Sequence, residues 1–267
     1  MRDKSEALFR SFGRAVESFG GRYITAEDVD TEVQDMAQIW LETGHVVGRS
    51  EEAGGSGDPS PVTALGVLAG IKTCVNVVFG APDVKGCRVA IHGVGKVGYR
   101  LAELLHRRGA ELFLCDVISE RAAAAAMAFH GHEVREHDFF ALPVDVLSPY
   151  ALGGVLNDDT IPRIRAPVIA GAANNQLQEG FRHSQALSSR GILYAPDFVI
   201  YAGGLINVYS EVEKTPKALA LQRAEAIGET LRKVLTMSQV EGIATHEAAC
   251  CLAEERLAPA EAGEAAR

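Results

Sequence analysis

Arg88-Val89-Ala90-Ile91-His92-Gly93-Val94-Gly95-Lys96-Val97-Gly98 is an apolar run that breaks into three regularly spaced glycines. The run predicts a buried strand over Arg88–His92, and the spacing G-x-G-x-x-G predicts a tight turn that opens a helix from about Lys96 to Arg108, closed by Gly109. A second apolar run, Leu112–Cys115, ends on Asp116, 18 residues past Gly98. In isolation the glycine pattern is weak. Between a strand and a helix, with an acid closing the next strand, it is the dinucleotide-binding arrangement. Gly93 permits the turn, Gly95 lets backbone approach a pyrophosphate, and Gly98 lets helix and strand pack closely. Val94, Lys96 and Val97 carry the loop into the helix, whose N-terminal N–H groups and dipole face the phosphates. Asp116 can accept from ribose hydroxyls and would repel a 2′-phosphate, so NAD is favoured over NADP; Arg121 is the neighbour that weakens this preference. The competing reading is a similar turn that binds no dinucleotide.

Downstream of the loop, strands and helices alternate. An alanine-rich helix is expected over Glu120–Phe129, and strands near Glu133–Val134, Val144–Leu147, Val168–Ala170 and Ile192–Tyr194. This β-α alternation predicts an α/β fold with a Rossmann-type, doubly wound, mostly parallel sheet and flanking helices. The tail from about Pro216 is helical. In such sheets, ligands bind at the carboxyl ends of the strands. Three further strand ends therefore point to the crevice: Ser148-Pro149-Tyr150, Gly171-Ala172-Ala173-Asn174-Asn175 and Ala195-Pro196-Asp197. Asn175 could bond a cofactor's ribose or carboxamide, or it could cap a helix.

Upstream, Leu8, Phe12, Val16 and Phe19 recur at helical spacing and predict a helix from Ser5 to Phe19, stopped by Gly20-Gly21. A short strand, Arg22–Thr25, runs into Glu27-Asp28-Val29. Thr31 is expected to cap a helix reaching Leu41, with Gln34 at the capping-box position. The glycine-rich stretch 44–61 is long for a loop without regular structure, which suggests a functional role. It ends with Ser60 as N-cap and Pro61 at the first position of a helix reaching Phe79.

With 267 residues, 47% hydrophobic and 23% charged, the chain is long enough to bury a full core. A net charge of −9 and only seven lysines exclude a phosphate-binding nucleic-acid surface. The polar start, Met1-Arg2-Asp3-Lys4-Ser5-Glu6, is no signal peptide. No apolar stretch approaches the roughly 20 residues that cross a bilayer, so no membrane is expected and the chain reads as cytoplasmic. The five cysteines lack C-x-x-C spacing and fit small core residues in a reducing compartment. His130-Gly131-His132 fits a solvated turn, and no metal site is expected.

Six stretches together resemble a known family: GRYITAEDV (21–29), GGSGDPSPVTALGV (54–67), GVGKVG (93–98), ALGGVLNDDTIP (151–162), VIAGAANNQL (168–177) and GILYAPDFV…AGGLINV (191–208). They follow the order of the leucine, phenylalanine, valine and glutamate dehydrogenases, with the leucine enzymes most similar. The resemblance implies NAD-dependent oxidative deamination of an L-amino acid, branched-chain or aromatic, to a 2-oxo acid and ammonia by a homo-oligomer. By position, Asp28 resembles the catalytic aspartate that assists proton transfer; its bland reading is a turn or capping acid. A carboxylate in a closed cleft suits that task, because burial lifts its pKa toward the working pH. Thr63 resembles the residue that bonds the nicotinamide carboxamide, or is simply a first-turn helix threonine. Asn175 resembles the family asparagine on the cofactor side.

The resemblance also implies a division into residues 1–61, a remnant of the substrate domain with its linking loop; 62–210, the NAD-binding domain; and 211–267, C-terminal helices. Three departures stand out. The glycine-rich GGxK segment that carries the family's catalytic lysine does not occur, so a miscalled start or a natural shortening is implied. Tyr201 stands where the family has asparagine before AGG, and Tyr150 where a small residue follows proline. A catalytically impaired NAD-binding module is therefore the alternative function. A partial substrate domain should also leave apolar surface around Phe9, Phe12 and Phe19 exposed, which favours association.

Overall fold

A computed structural model describes residues 4–28, 30–151 and 153–264. Val29, the end of the predicted Glu27–Val29 segment, lies outside them, as do Leu152 and Met1-Arg2-Asp3. In chain order the elements are helices α1 (Glu6–Glu17), α2 (Val33–Trp40) and α3 (Ser60–Phe79); strand β1 (Arg88–His92), α4 (Lys96–Arg107), β2 (Glu111–Cys115), α5 (Ser119–Phe129), β3 (His132–Glu133) and α6 (Glu136–Phe139); β4 (Val146–Pro149), β5 (Val168–Ile169), α7 (Gly180–Ser189), β6 (Leu193–Tyr194) and α8 (Asp197–Ile200); then α9 (Gly203–Glu213), α10 (Lys217–Glu225), α11 (Ile227–Glu241) and α12 (Thr245–Glu264).

The described strands form one sheet in the order β3-β2-β1-β4-β5-β6, and each neighbouring pair is parallel. This is the doubly wound arrangement, with its reversal between β1 and β4. β1 lies at the centre, and Val89, Ala90 and Ile91 are fully buried, as a parallel strand covered on both faces requires. On one face, Ala90 joins a core with Cys115, Phe139, Leu147, Ile169 and Tyr194. The sequence overestimates β5 and β6 by one residue each and places the two-residue β3 one residue too late.

The chain divides into two units, Met1–Val62 with Gly203–Arg223, and Thr63–Ala202 with Ala224–Arg267. The segment that the sequence boundaries split at residue 210 thus groups with the N-terminal residues, and residues 224–267 group with the sheet.

In the first unit α1 begins at its N-cap Ser5, whose hydroxyl oxygen accepts from Leu8 N–H at 3.2 Å. α1 and α2 cross closely at Gly13, where a Cβ would lie 2.8 Å from the Ile39 carbonyl oxygen. The small core consists of Met36, Ile39 and Val46 with Phe9 packed against it. Of the apolar residues at helical spacing on and beside α1, Val16 is buried and Leu8 is exposed, and Phe12 and Phe19 are exposed as the partial substrate domain implied, whereas Phe9 is partly covered by the small core. Two sequence expectations fail here. Arg22–Thr25 is no strand but a single bridge, Thr25 to Val46. Thr31 does not cap α2. Glu32 is the N-cap and its N–H donates to Asp35 Oδ2 at 2.9 Å, while the Thr31 hydroxyl donates to the Asp28 carbonyl oxygen at 2.7 Å. The carboxylate pair simply places the helix start one residue later than the threonine suggests.

α3 corrects another expectation. At 20 residues it is long and apolar enough to meet the composition and length of a membrane span. Yet Val62, Ala64, Val67, Leu68, Ile71 and Val75 are buried to within 1% inside the protein. Each valine, leucine or isoleucine among them contributes about 1.5–3 kcal/mol when withdrawn from water.

Candidate functional site

The glycine loop leaves β1 at the point where strand order reverses. Gly93 has φ +101°, open to glycine at little cost, and a Cβ there would come within 3.1 Å of the Tyr150 carbonyl carbon at the end of β4. Tyr150 N–H donates to the His92 carbonyl oxygen at 2.6 Å, which seals β1 to β4 at the crevice. Gly98 is the tightest position, since a Cβ would sit 2.0 Å from the Gly93 carbonyl oxygen. Gly95 is the reverse. A Cβ on it meets nothing within 4 Å, so its face is open on the side where a ligand's phosphates would need room. Gly95 is also the N-cap of α4, with no side chain occupying the helix's first N–H groups. Val94 is buried beneath the loop and Lys96 is exposed at the helix start.

Asp116 ties the loop to β2. Its Oδ2 accepts from Val94 N–H at 2.8 Å and its Oδ1 from Ile118 N–H at 2.9 Å. Each carboxylate oxygen has two lone pairs, so the carboxylate keeps acceptor capacity for a ribose hydroxyl. The structure therefore brings Gly93–Gly98, Asp116 and Tyr150 together. His92 lies beneath them, tilted by 31° against Phe139 at 4.9 Å between ring centroids, with Nε2 3.6 Å from Glu136 Oε1. Burial lowers its pKa, and Glu136 and then Asp116 oppose that shift. Burial likewise raises the Tyr150 phenol well beyond its ordinary range.

Asn175 sits on the loop after β5 with φ +51°, exposed beside exposed Asn174. It is not a helix cap, because α7 starts later, at N-cap Glu179. The loop is held by neighbours that sequence reasoning did not single out as site residues. Buried Asp197 accepts from Gln176 N–H through Oδ2 at 2.9 Å, and the Gln176 side-chain amide donates to the Gly171 carbonyl oxygen at 2.7 Å. Gly154 N–H donates to the Asn175 carbonyl oxygen at 2.8 Å. The signal for Asp197 was present, an acid directly after a strand, but its partner is 21 residues away and only the fold supplies it. Thr63 is buried in the first turn of α3.

Asp28 belongs to the first unit, in an exposed turn where its N–H donates to Thr31 Oγ1 at 2.7 Å. A second feature of that unit escaped the sequence. Glu211 on α9 accepts from Gly48 N–H, Ser56 N–H and the Arg49 guanidinium, at 2.9, 2.9 and 3.1 Å. It thereby organises the glycine-rich stretch 44–61, which looked unstructured by composition.

The cysteines are not nucleophile candidates: burial pushes Cys74 up to about 12 and Cys115 up to about 11.

A parallel 3-2-1-4-5-6 sheet with a glycine-rich turn and an acid at its switch point defines a protein of the Rossmann class. Comparison with known proteins narrows this. A family profile described as Glutamate/Leucine/Phenylalanine/Valine dehydrogenase matches residues 113–262. A leucine dehydrogenase of Bacillus cereus is 47% identical over 257 residues, covering 96% of this chain and 70% of that protein. An L-tryptophan dehydrogenase of Nostoc punctiforme is 43% identical over 255 residues, covering 96% and 71%. Its crystal structure superposes with a TM-score of 0.82 at 39% identity, covering 97% of this chain and 74% of that one. The hetero-hexameric glutamate dehydrogenase of Thermus thermophilus, at 22% identity and TM-score 0.77, shares the fold. The chain belongs to the Glutamate/Leucine/Phenylalanine/Valine dehydrogenase family of amino-acid dehydrogenases, which are oxidoreductases.

Proposed function

We propose that this protein catalyses the NAD-dependent oxidative deamination of an L-amino acid with a branched-chain or aromatic side chain, giving the 2-oxo acid and ammonia. The observation that carries the cofactor half is the pairing of Asp116 with the open glycine loop. The carboxylate is fixed by Val94 N–H at 2.8 Å, and space is free over Gly95. A bound NAD would be held by the loop's N–H groups at its pyrophosphate, by Asp116 at its adenosine ribose, and by Thr63 and Asn175 at its nicotinamide end. When bound, NAD supplies the acceptor for the hydride that leaves the substrate's α-carbon. The substrate class is supported by relatives named leucine, L-tryptophan and phenylalanine dehydrogenases.

Asp28 is proposed to hold and release the proton that moves between the reacting nitrogen and water. General acid–base groups of this kind contribute about 10²–10⁴-fold in rate. The enzyme is proposed to work in the cytoplasm, a reading supported by its unpaired cysteines, which suit a reducing compartment.

The test is NADH formation at 340 nm with a panel of branched-chain and aromatic amino acids, alongside NAD and NADP titrations. Turnover with NAD, abolished in Asp28→Asn, is expected. A second reading, an NAD-binding module with impaired catalysis, is favoured by one observation: Tyr201, in the position before Ala202-Gly203-Gly204, donates its hydroxyl to Asn174 Oδ1 at 3.0 Å. Tight NAD binding with no turnover on any amino acid would decide for that module.

A further inference from the structure

We infer that Tyr201 is a positioning residue that, together with Asp197, sets the conformation of Asn175 from the two ends of one short helix. The inference rests on the dinucleotide reading above.

α8 is four residues long, Asp197–Ile200, with Tyr201 as its C-cap. Its first residue, Asp197, accepts Gln176 N–H at 2.9 Å, and its cap, Tyr201, donates its hydroxyl to Asn174 Oδ1 at 3.0 Å. The two gripped residues flank Asn175 on either side. Asn175 itself adopts φ +51°, a left-handed conformation that asparagine accepts more readily than other non-glycine residues, and the bonds on either side of it select that conformation. On the sheet side the same loop is pinned by Ala173 N–H to the Pro149 carbonyl oxygen at 2.9 Å and by Gly154 N–H to the Asn175 carbonyl oxygen at 2.8 Å. The backbone is thus fixed toward the sheet. The exposed edge, where Asn174 and Asn175 present their side chains, is braced by the tyrosine.

The position of this loop says which part of the cofactor feels it. Asp116 and the glycine loop belong to the β1–β3 half of the sheet, the half that reads the adenosine ribose. Asn175 follows β5, in the other half, which takes the second mononucleotide. Loosening Tyr201 should therefore weaken the hold on nicotinamide riboside and leave the adenosine diphosphate end untouched. A general weakening of the domain would affect both ends.

The experiment is a fluorescence titration of the full chain with NADH, paired with calorimetric titration with ADP, for wild type, Tyr201→Phe, Asn174→Ala and the double variant. Tyr201→Phe keeps the ring and removes only the hydroxyl. It is expected to weaken NADH binding about threefold to tenfold, the worth of one neutral hydrogen bond, with ADP binding unchanged. Asn174→Ala should match it, and the double variant should be no weaker than either single one, because both remove the same bond. Unchanged NADH affinity in Tyr201→Phe, equal losses for NADH and ADP, or additive losses in the double variant would each overturn the assignment. A wild-type chain that does not bind NADH sinks the dinucleotide reading itself and this inference with it. Normal wild-type binding that Tyr201→Phe leaves intact sinks this inference alone.

Discussion

Two glycines three residues apart make opposite demands on a substitution. At Gly98 a methyl group would meet the Gly93 carbonyl oxygen at 2.0 Å, so Gly98→Ala must push α4 off the loop. At Gly95 the same methyl meets nothing within 4 Å, so only a ligand would notice it. Gly98→Ala is expected to lower the melting temperature and abolish NADH binding together. Gly95→Ala is expected to leave the melting temperature unchanged while weakening NADH binding tenfold or more, by about 1.4 kcal/mol or more. Differential scanning fluorimetry beside an NADH titration separates the two; equal melting losses would refute the assignment of the open face. Asp116 is the other residue with a sharp expectation. Asp116→Ala removes the charge that disfavours a 2′-phosphate, so the NADP-to-NAD affinity ratio should rise, with some loss of NAD affinity because Val94 N–H loses its acceptor.

At the scale of an element, the clearest case is the stretch 44–61 and its anchor on α9. Glu211 is 8% exposed and Arg49 15% exposed, so their ion pair is largely withdrawn from water. The Arg49 guanidinium also lies over the Trp40 ring, 3.7 Å from its centroid. Removing one partner of such a pair strands the other. Glu211→Ala is expected to destabilise the protein by about 3 kcal/mol in urea unfolding. It should also release the backbone amides of Gly48 and Ser56 to rapid hydrogen exchange. A change below about 0.5 kcal/mol would mean that the loop is held by something else. This element also shows what spacing can and cannot tell. Glycine content marked residues 44–61 as a loop, whereas its order depends on a carboxylate more than 150 residues later in the chain.

For the molecule as a whole, acid is the simplest probe. His92 is buried and its pKa is lowered by desolvation, and His246 shifts the same way for the same leading reason. Between the folded pKa and the ordinary value the unfolded chain binds protons that the folded chain does not, so stability falls as pH drops below about 6.5. Asp145 is held below the usual carboxylate range by Arg88, against the opposing effect of its own burial. That contribution persists down to the ordinary aspartate pKa and is lost only at lower pH. Melting temperature should therefore decline in two stages on acidification. His92→Phe, which keeps a ring against Phe139, should flatten the first stage; an unaltered slope would show that other groups carry it. The first unit meanwhile leaves Leu8, Phe12, Phe19, Tyr23 and Trp40 exposed. Association in solution is expected, and a clean monomer by size exclusion with light scattering would count against it.

The turn at Gly93–Gly98, the helix it opens and the acid at the second strand end were legible from residues 88–116, and the parallel sheet from the strand–helix alternation that continues to residue 194, because each rests on a pattern local in sequence. Asp116 could be chosen from spacing for the same reason. What only the tertiary structure decided are the partnerships of long sequence separation: Tyr201 with Asn174, Asp197 with Gln176, and Glu211 with Gly48 and Ser56. The capping of α2 and the partial covering of Phe9 also waited on the fold. Periodicity reports which face of a helix is apolar; whether that face is covered depends on what packs there. A side chain's hydrogen-bonding valence can be read from its residue type, but which atom fills it is set by where the rest of the chain comes to lie.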